Sequence, residues 1–225
     1  MVLLAPRREK DMDKKERLSL IAIIIMIVFS FSGLLRLFNE NIVNLASVTL
    51  IIGIVFYFIT RKPEAKDAMS LKKIPQLLKD WKTILLVLTP LIADTICNVI
   101  ARSFLPEFIE HLSERTDFLS FDKIIFLLVE LVVAALGEEI AWRGFFLNQL
   151  SKKTPLIPAL LISAILFSIC HFSMGSMVVI LYDLLFIVIN AVLYGLVYKR
   201  TNNIIISTIS HLLSNIFSVV IMLLI

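Results

Sequence analysis

Glycine, proline, cysteine and charge are all scarce in this chain of 225 residues, and each shortage excludes a class of protein. The six glycines and seven prolines leave no room for a flexible low-complexity linker, and we find no internal repeat, Walker loop, GxGxxG or CxxC motif. Charged residues make up 18% of the chain and hydrophobic residues 59%, which excludes an ordinary soluble domain. The composition therefore predicts an integral membrane protein with a single membrane domain, residues 1–225.

The two cysteines and the net positive charge add little about function. Cys97 and Cys170 lie in apolar runs, where an inert buried thiol is expected rather than a disulfide or a metal pair. The net charge of +4 comes from basic residues clustered between apolar runs, as in loops held on one side of a membrane. We therefore expect the lipid bilayer, and not nucleic acid, as a partner.

Seven apolar windows match the roughly 20 residues that a helix needs to cross a bilayer core. The windows cover residues 18–36, 42–60, 83–104, 123–147, 156–173, 177–198 and 203–225. No convincing small-residue cleavage site follows the basic N-terminus, so the first window is interpreted as an uncleaved span. The sequence predicts an all-α polytopic helix bundle of about seven transmembrane helices, with six or eight as alternatives.

The distribution of charge between the windows predicts an orientation. The segment 61–82 contains seven Lys or Arg and three acidic residues, whereas the segment 102–122 is rich in Asp and Glu. A seven-span topology places the basic pairs at 152–153 and 199–200 on the same side as segment 61–82. The positive-inside rule then predicts a cytoplasmic N-terminus and an external C-terminus. Short loops in a small chain are typical of a bacterial protein of the cell membrane.

The fourth window contains three charged residues, Glu138, Glu139 and Arg143, in the stretch GEEIAWRGFF. Charged groups at mid-bilayer depth cost about 2.5–3.5 kcal/mol on insertion scales, so each requires a partner or a function. Glu139 and Arg143 are four residues apart and can form an intrahelical ion pair. Glu138 points about 100° away around the helix, which leaves it without that partner and makes it a candidate general base.

Two histidines lie in later windows, each with a polar or aromatic residue one helical turn away. Phe167 precedes His171 by four residues, and Asn215 follows His211 by four. A His and an Asn on one helix face can direct two hydrogen-bond donors at a developing oxyanion. Polar clusters on three helices favour a shared hydrolytic site over separate structural roles.

The residues alone leave the metal question open. Glu138, His171 and His211 could bind Zn²⁺ with a water in the fourth position, although the chain lacks an HExxH motif. A water activated directly by a glutamate fits the same residues. We favour catalysis without a protein-bound metal.

Three ordered motifs carry a family resemblance: E-E-x-x-x-R at Glu138, Glu139 and Arg143, F-x-x-x-H at Phe167 and His171, and H-x-x-x-N at His211 and Asn215. In this order the chain resembles the CAAX protease and bacteriocin-processing family, or Abi family, which includes the type II CAAX prenyl endopeptidases. The motif-bearing catalytic core is predicted at about 123–225.

The resemblance implies a role for each motif residue in hydrolysis of a peptide bond. Glu138 would activate a water, which His171 would help to position, and His211 with Asn215 would stabilise the oxyanion. The remaining motif residues, Glu139, Arg143 and Phe167, would support the site. The implied substrate is a peptide precursor or a membrane protein.

Two other functions remain as alternatives. A non-enzymatic membrane scaffold, for instance one that provides self-immunity against a bacteriocin, could use the same fold. A proton-coupled transporter could use intramembrane Glu and His as a relay, but transporters often show repeated halves with broken helices, which we do not find.

Overall fold

The computed structural model describes residues 5–39, 41–61, 68–116 and 123–223, with the side chains of 5–13 and 222–223 excluded. Some predicted segments therefore lie partly outside the described residues. These are the segments 61–82 and 102–122, the first four residues of the chain and the end of the last predicted window. Within them, all regular secondary structure is helical, so the predicted all-α class is confirmed.

Ten α-helices, some extended by turns of other helix types, form the described structure. They are α1 (Ala5–Ser30, continued by the 3₁₀ segment Phe31–Leu37), α2 (Ser47–Thr60), α3 (Ile74–Leu77, preceded by the 3₁₀ turn Leu71–Lys73), α4 (Trp81–Phe104), α5 (Glu107–Arg115), α6 (Ile124–Glu138), α7 (Asn148–Leu150), α8 (Leu156–Cys170), α9 (Met177–Thr201) and α10 (Ile204–Leu223). A π-helical segment, Glu139–Leu147, joins α6 to α7 without a break.

Four stretches of the described residues are long and apolar enough to cross a membrane: Lys14–Leu37, Trp81–Phe104, Met177–Thr201 and Ile204–Ile221. The apolar helices α2 and α8 are shorter, and the fourth predicted window is divided between α6 and the π segment. A multi-pass architecture is therefore supported, whereas the number of seven spans stays a prediction.

Large apolar side chains cover much of the outer surface. On α6, the side chains of Ile124, Ile125, Phe126 and Val133 are each at least 60% exposed. Exposed apolar surface of this extent is unfavourable in water but is suited to contact with lipid chains.

The π segment lies at the centre of the bundle, and all nine of its residues are buried. It packs against α2, α8, α9 and α10. Gly53 on α2 allows the closest approach, since a Cβ atom there would lie 2.5 Å from the Cβ of Ala141. Small residues that bring helix backbones together are typical of packing between membrane helices.

Contacts between charged and polar groups gather the predicted basic segments at one end of the bundle. Lys153 Nζ lies 2.5 Å from Glu16 Oε1 on α1, and Arg200 Nη2 lies 2.6 Å from Asp80 Oδ2. The side-chain amide of Asn203 donates to the carbonyl oxygen of Ser70 at 3.0 Å. These contacts join described parts of the basic segments, and their location on the cytoplasmic side of a membrane stays a prediction.

Two sequence-based assignments need correction. The segment 102–122 is not simply a loop, because α5 occupies Glu107–Arg115 and buries His111. Its apolar residues Phe108 and Leu112, one turn apart, pack with α9 and hold it against the bundle. The fifth window is shorter than predicted: α8 ends at Cys170, so His171 lies directly after the helix.

Candidate active site

Glu138 is the last residue of α6 and lies beside both intramembrane histidines. Its Oε1 atom is 3.9 Å from His171 Nε2, and its Oε2 atom is 3.7 Å from His211 Nε2. These separations exceed a direct hydrogen bond but bring all three groups within reach of the same small molecule, such as a water. Glu138 thus lacks Arg143 as a partner, as the spacing predicts, and faces two imidazoles instead.

Glu139, the first residue of the π segment, has a different environment although it is the next residue along the chain. Its carboxylate is fully buried and lies 3.0 Å from Arg143 Nη1, so the predicted intrahelical pair is confirmed. Glu139 also accepts hydrogen bonds from Ser207 and from Nδ1 of His211, the latter at 3.0 Å. Several partners thus compensate for removing this charge from water.

Arg143 is held by contacts on several sides. Its Nη2 atom donates to the carbonyl oxygen of Ala191 at 3.1 Å. The guanidinium carbon lies 4.7 Å from the ring centroid of Phe167 and 5.3 Å from that of Tyr194. Cation–π contacts of this kind stabilise a desolvated guanidinium. Phe167 thus supports Arg143 and also contacts the tilted ring of His171, whose centroid lies 4.5 Å away.

The two histidines use the same ring nitrogen to anchor themselves and direct the other nitrogen toward Glu138. Nδ1 of His171 donates to the carbonyl oxygen of Phe167 at 2.8 Å, and Nδ1 of His211 donates to Glu139. A neutral imidazole has one N–H, so in that form Nε2 of each ring is an acceptor. His211 therefore donates through Nε2 only when it carries a second proton.

The turn between α9 and α10 determines where His211 lies. Asn202 has a left-handed backbone with φ of 45°, a conformation that Asn tolerates well at the end of a helix. Asn203 then caps α10, because its Oδ1 atom accepts from the backbone N–H of Ile206 at 3.1 Å. This tight turn folds α10 back along α9, and the ring of His211 stacks on Tyr194 with centroids 4.4 Å apart.

A cavity of about 230 Å³ lies between α5, α6, α8, α9 and α10. Glu138, His171, His211 and Asn215 all line it, so the four residues that the sequence predicted as catalytic face one space. Glu139 and Arg143 lie behind this wall and are not among the lining residues. The arrangement can hold a water between a carboxylate and two imidazoles, with an amide group near by.

A second buried carboxylate lies behind the cavity wall and accepts hydrogen bonds from two residues that line the cavity. Asp94 on α4 accepts from the amide of Asn190 at 2.6 Å and from the hydroxyl of Ser214. Both donors line the cavity. The one-turn spacing of Asp94 and Asn98 favours interhelical hydrogen bonding but does not identify these partners on α9 and α10.

Sequence reasoning also missed a cluster at the edge of the cavity. Nε2 of His111 lies 3.3 Å from Asp183 Oδ2, and Nη2 of Arg115 lies 3.4 Å from Asp183 Oδ1. Arg115 lines the cavity, as does its neighbour Thr116. The amphipathic spacing of α5, with Phe108 and Leu112 on one face, was the signal that could have identified this helix.

Among the described residues, no group of three or more His, Cys, Asp or Glu side chains has the geometry of a metal site. Glu138, His171 and His211 are the residues that would hold a metal if one were used. Metal-free catalysis stays a prediction.

Comparison with known proteins supports the family resemblance. The family described as type II CAAX prenyl endopeptidase Rce1-like matches residues 120–217, a little under half of the chain. The match includes all three motifs and confirms the resemblance drawn from them. Searches of curated proteins and of solved structures gave no match. The matched family is one of proteases, which supports a hydrolase acting in the membrane.

Proposed function

We propose, on the premise of this likeness to the type II CAAX prenyl endopeptidases, that the protein is an intramembrane endopeptidase in which Glu138 activates a water. The observation that carries the proposal is the position of the Glu138 carboxylate, 3.9 Å and 3.7 Å from the Nε2 atoms of His171 and His211. A base, two imidazoles and a cavity can together activate a water, position it and stabilise the charge that forms during hydrolysis of a peptide bond.

In the proposed reaction, the Glu138 carboxylate accepts a proton from a water in the cavity while the water oxygen bonds to the peptide carbonyl carbon. The protonated Glu138 then delivers the proton to the leaving amine as the C–N bond breaks. His171, anchored through Nδ1, presents the Nε2 lone pair and can hold the water in line by accepting its second hydrogen. Glu138 thus serves first as base and then as acid.

His211 and Asn215 are proposed to stabilise the oxyanion that forms on the substrate carbonyl. His211 can donate from Nε2 in its doubly protonated form, in which Nδ1 still donates to the carboxylate of Glu139. The amide of Asn215, one turn along α10, supplies a second donor from the same wall of the cavity. Glu139, Arg143 and Phe167 hold this wall in place.

The proposed substrate is a peptide precursor or a segment of a membrane protein. Nothing in the cavity selects a prenylated substrate, and neither the fold nor the family comparison favours bacteriocin immunity. No observation favours the scaffold or transporter alternatives over hydrolysis.

The Glu138→Gln variant tests the proposal. Gln keeps the shape and hydrogen bonding of Glu but cannot accept the proton, so cleavage should fall by about 10²- to 10⁴-fold. Purified protein in detergent or liposomes would be assayed by mass spectrometry against a proteome-derived peptide mixture, because the substrate sequence is open. The amount of folded protein, measured by size-exclusion chromatography, should equal that of the wild type.

Full cleavage by Glu138→Gln would refute Glu138 as the base. Absence of cleavage by both the wild type and Glu138→Gln would instead favour the scaffold alternative.

A further inference from the structure

Arg115 is the one arginine or lysine among the described residues that line the cavity, and the acidic lining residues are on α6. Glu130 on α6 and Glu138 line the same space. Any anionic group of a substrate entering this cavity is repelled by the two carboxylates and attracted by the guanidinium. Arg115 therefore defines where an anion in the cavity would lie.

The charge and the donors of Arg115 are only partly occupied. Its contact with Asp183 is a single approach of 3.4 Å, and Asp183 is shared with His111 at 3.3 Å. The Nε atom of Arg115 is buried without a hydrogen-bond partner among the described residues. A guanidinium has five N–H donors in a planar fork that matches a carboxylate, so donors remain for a second anion.

We propose that Arg115 binds a carboxylate of the substrate, either the C-terminal carboxylate of the peptide or an acidic side chain. This inference rests on the proposed function and names the substrate class of that site. Arg115 and Glu138 line the same cavity of about 230 Å³, so the bound carboxylate and the cleaved bond share one space. Arg115 holds one end of the peptide segment and Glu138 acts on the other.

The position of α5 in the chain places this contact before the region that matches the family. Arg115 precedes residues 120–217, which carry the family match. Asp183 on α9 and the buried His111 fix the helix that carries Arg115. The reaction would thus use residues of the matched region, while recognition of the carboxylate uses a helix outside it.

Binding can be measured apart from turnover in the Glu138→Gln background. Three probes share one N-octanoyl-Leu body: N-octanoyl-Leu-Leu as the free acid, its C-terminal amide, and N-octanoyl-Leu-Glu with an amidated C-terminus. Kd values for purified protein in detergent would be obtained by microscale thermophoresis.

At least one of the two carboxylate probes should bind at least about tenfold more tightly than the neutral amide, as expected for a charge-assisted hydrogen bond. Preference for the free acid identifies a chain end, and preference for the Glu probe identifies an acidic side chain.

Variants of Arg115 link this preference to the proposed residue. Arg115→Gln should abolish the preference, and Arg115→Lys should retain part of it. Arg102→Gln, which removes an exposed cation from the last turn of α4, should leave the preference intact. Asp183→Asn, which removes the competing carboxylate, should strengthen it and provides a test even if Arg115→Gln does not fold.

Three results would overturn the proposal. They are equal Kd values for the acids and the amide, no measurable binding of either acid, and a preference for the acids that survives Arg115→Gln. None of these results bears on Glu138, whose role is tested by cleavage. A wild-type protein that cleaves peptides without regard to their carboxylates would therefore refute the Arg115 inference alone.

Discussion

Glu138 and Glu139 are neighbours in the chain, but their carboxylates lie in contrasting surroundings. The Glu138 side chain is 22% exposed, lines the cavity and has its nearest charged or imidazole groups at 3.7 Å and 3.9 Å. The Glu139 side chain is fully buried, pairs with Arg143 at 3.0 Å and accepts two further hydrogen bonds. A carboxylate with close partners on several sides is suited to holding helices together, whereas one with an open face is suited to moving a proton.

His211 connects the two environments, because its Nδ1 atom bonds to Glu139 and its Nε2 atom faces Glu138. A change on the buried side can therefore reach the cavity through the orientation of one ring. The contrast teaches that a residue suited to catalysis and a residue suited to holding the helices together can be adjacent in the chain. His211 couples the two. Variants on the two sides should differ in which property they lose.

The largest expected effect is that of Glu139→Ala on stability. The substitution strands Arg143 in a buried position and should lower the free energy of unfolding by about 3–5 kcal/mol. The fraction of folded protein after heating in detergent, followed by fluorescence-detected size-exclusion chromatography, measures this loss. Glu138→Ala is the matched control and should change stability by less than about 1 kcal/mol. Equal losses in the two variants would remove the distinction between the glutamates.

Asn215→Ala should act on turnover without a comparable effect on stability. Loss of one oxyanion donor lowers kcat by about 10²- to 10³-fold in other hydrolases. Ser218, three residues further along α10, also lines the cavity and provides the control, since Ser218→Ala should leave kcat within a few-fold of the wild type. Similar kcat values for Asn215→Ala and Ser218→Ala would argue against an oxyanion role for Asn215.

A smaller effect is expected for Ser207→Ala, which removes one hydrogen bond from the buried side. The hydroxyl of Ser207 donates to the ionised Glu139, and such a bond contributes about 1.5–3 kcal/mol. Ser210, on the same helix, donates instead to the neutral carbonyl oxygen of Val87 at 2.7 Å. Thermal unfolding should therefore show a greater loss in Ser207→Ala than in Ser210→Ala. The reverse order would mean that Glu139 does not depend on Ser207.

The smallest effect is expected far from both glutamates, at the exposed pair of Asp80 and Arg200. Hydrogen bonds from Arg200 and Thr83 lower the pKa of Asp80 below 3.8, so the folded protein favours the ionised carboxylate. Its contribution to stability is present above the unfolded pKa and is lost as pH falls through the lower, folded pKa. The unfolding temperature of Asp80→Asn should be slightly lower than that of the wild type at pH 7. The difference between the two temperatures should shrink under strongly acidic conditions. A difference that grows on acidification would contradict this assignment.

The sequence alone predicted the all-α class, the pairing of Glu139 with Arg143 and the residues that meet in the cavity. Hydropathy identifies apolar helices, and a spacing of four residues identifies neighbours on one helix. The approach of Glu138 to His171 and His211 could be inferred because isolated buried ionisable groups are unfavourable. These inferences all depend on local spacing or on the cost of burying charge.

Features that depend on three-dimensional packing could not be predicted in this way. The stretch EIAWRGFFL has an apolar composition that suits an α-helix as well as the observed π segment, and no local signal separates the two. The partners of Asp94 lie on α9 and α10, far along the chain. Likewise, the ring nitrogen that each histidine presents to Glu138 follows from a hydrogen bond made by the other nitrogen.

The four-residue spacing of Glu139 and Arg143 has a consequence for how the chain enters the bilayer during synthesis. His211, which shares the Glu139 carboxylate in the finished protein, follows it by 72 residues and is therefore translated much later. Until then, an ionised Glu139 can pair only with residues that the ribosome has already released. Arg143 satisfies that condition because it emerges within the same helical turn. The intrahelical pair thus lets the segment that contains Glu139 enter the lipid before Ser207 and His211, the other partners of this carboxylate, have been synthesised.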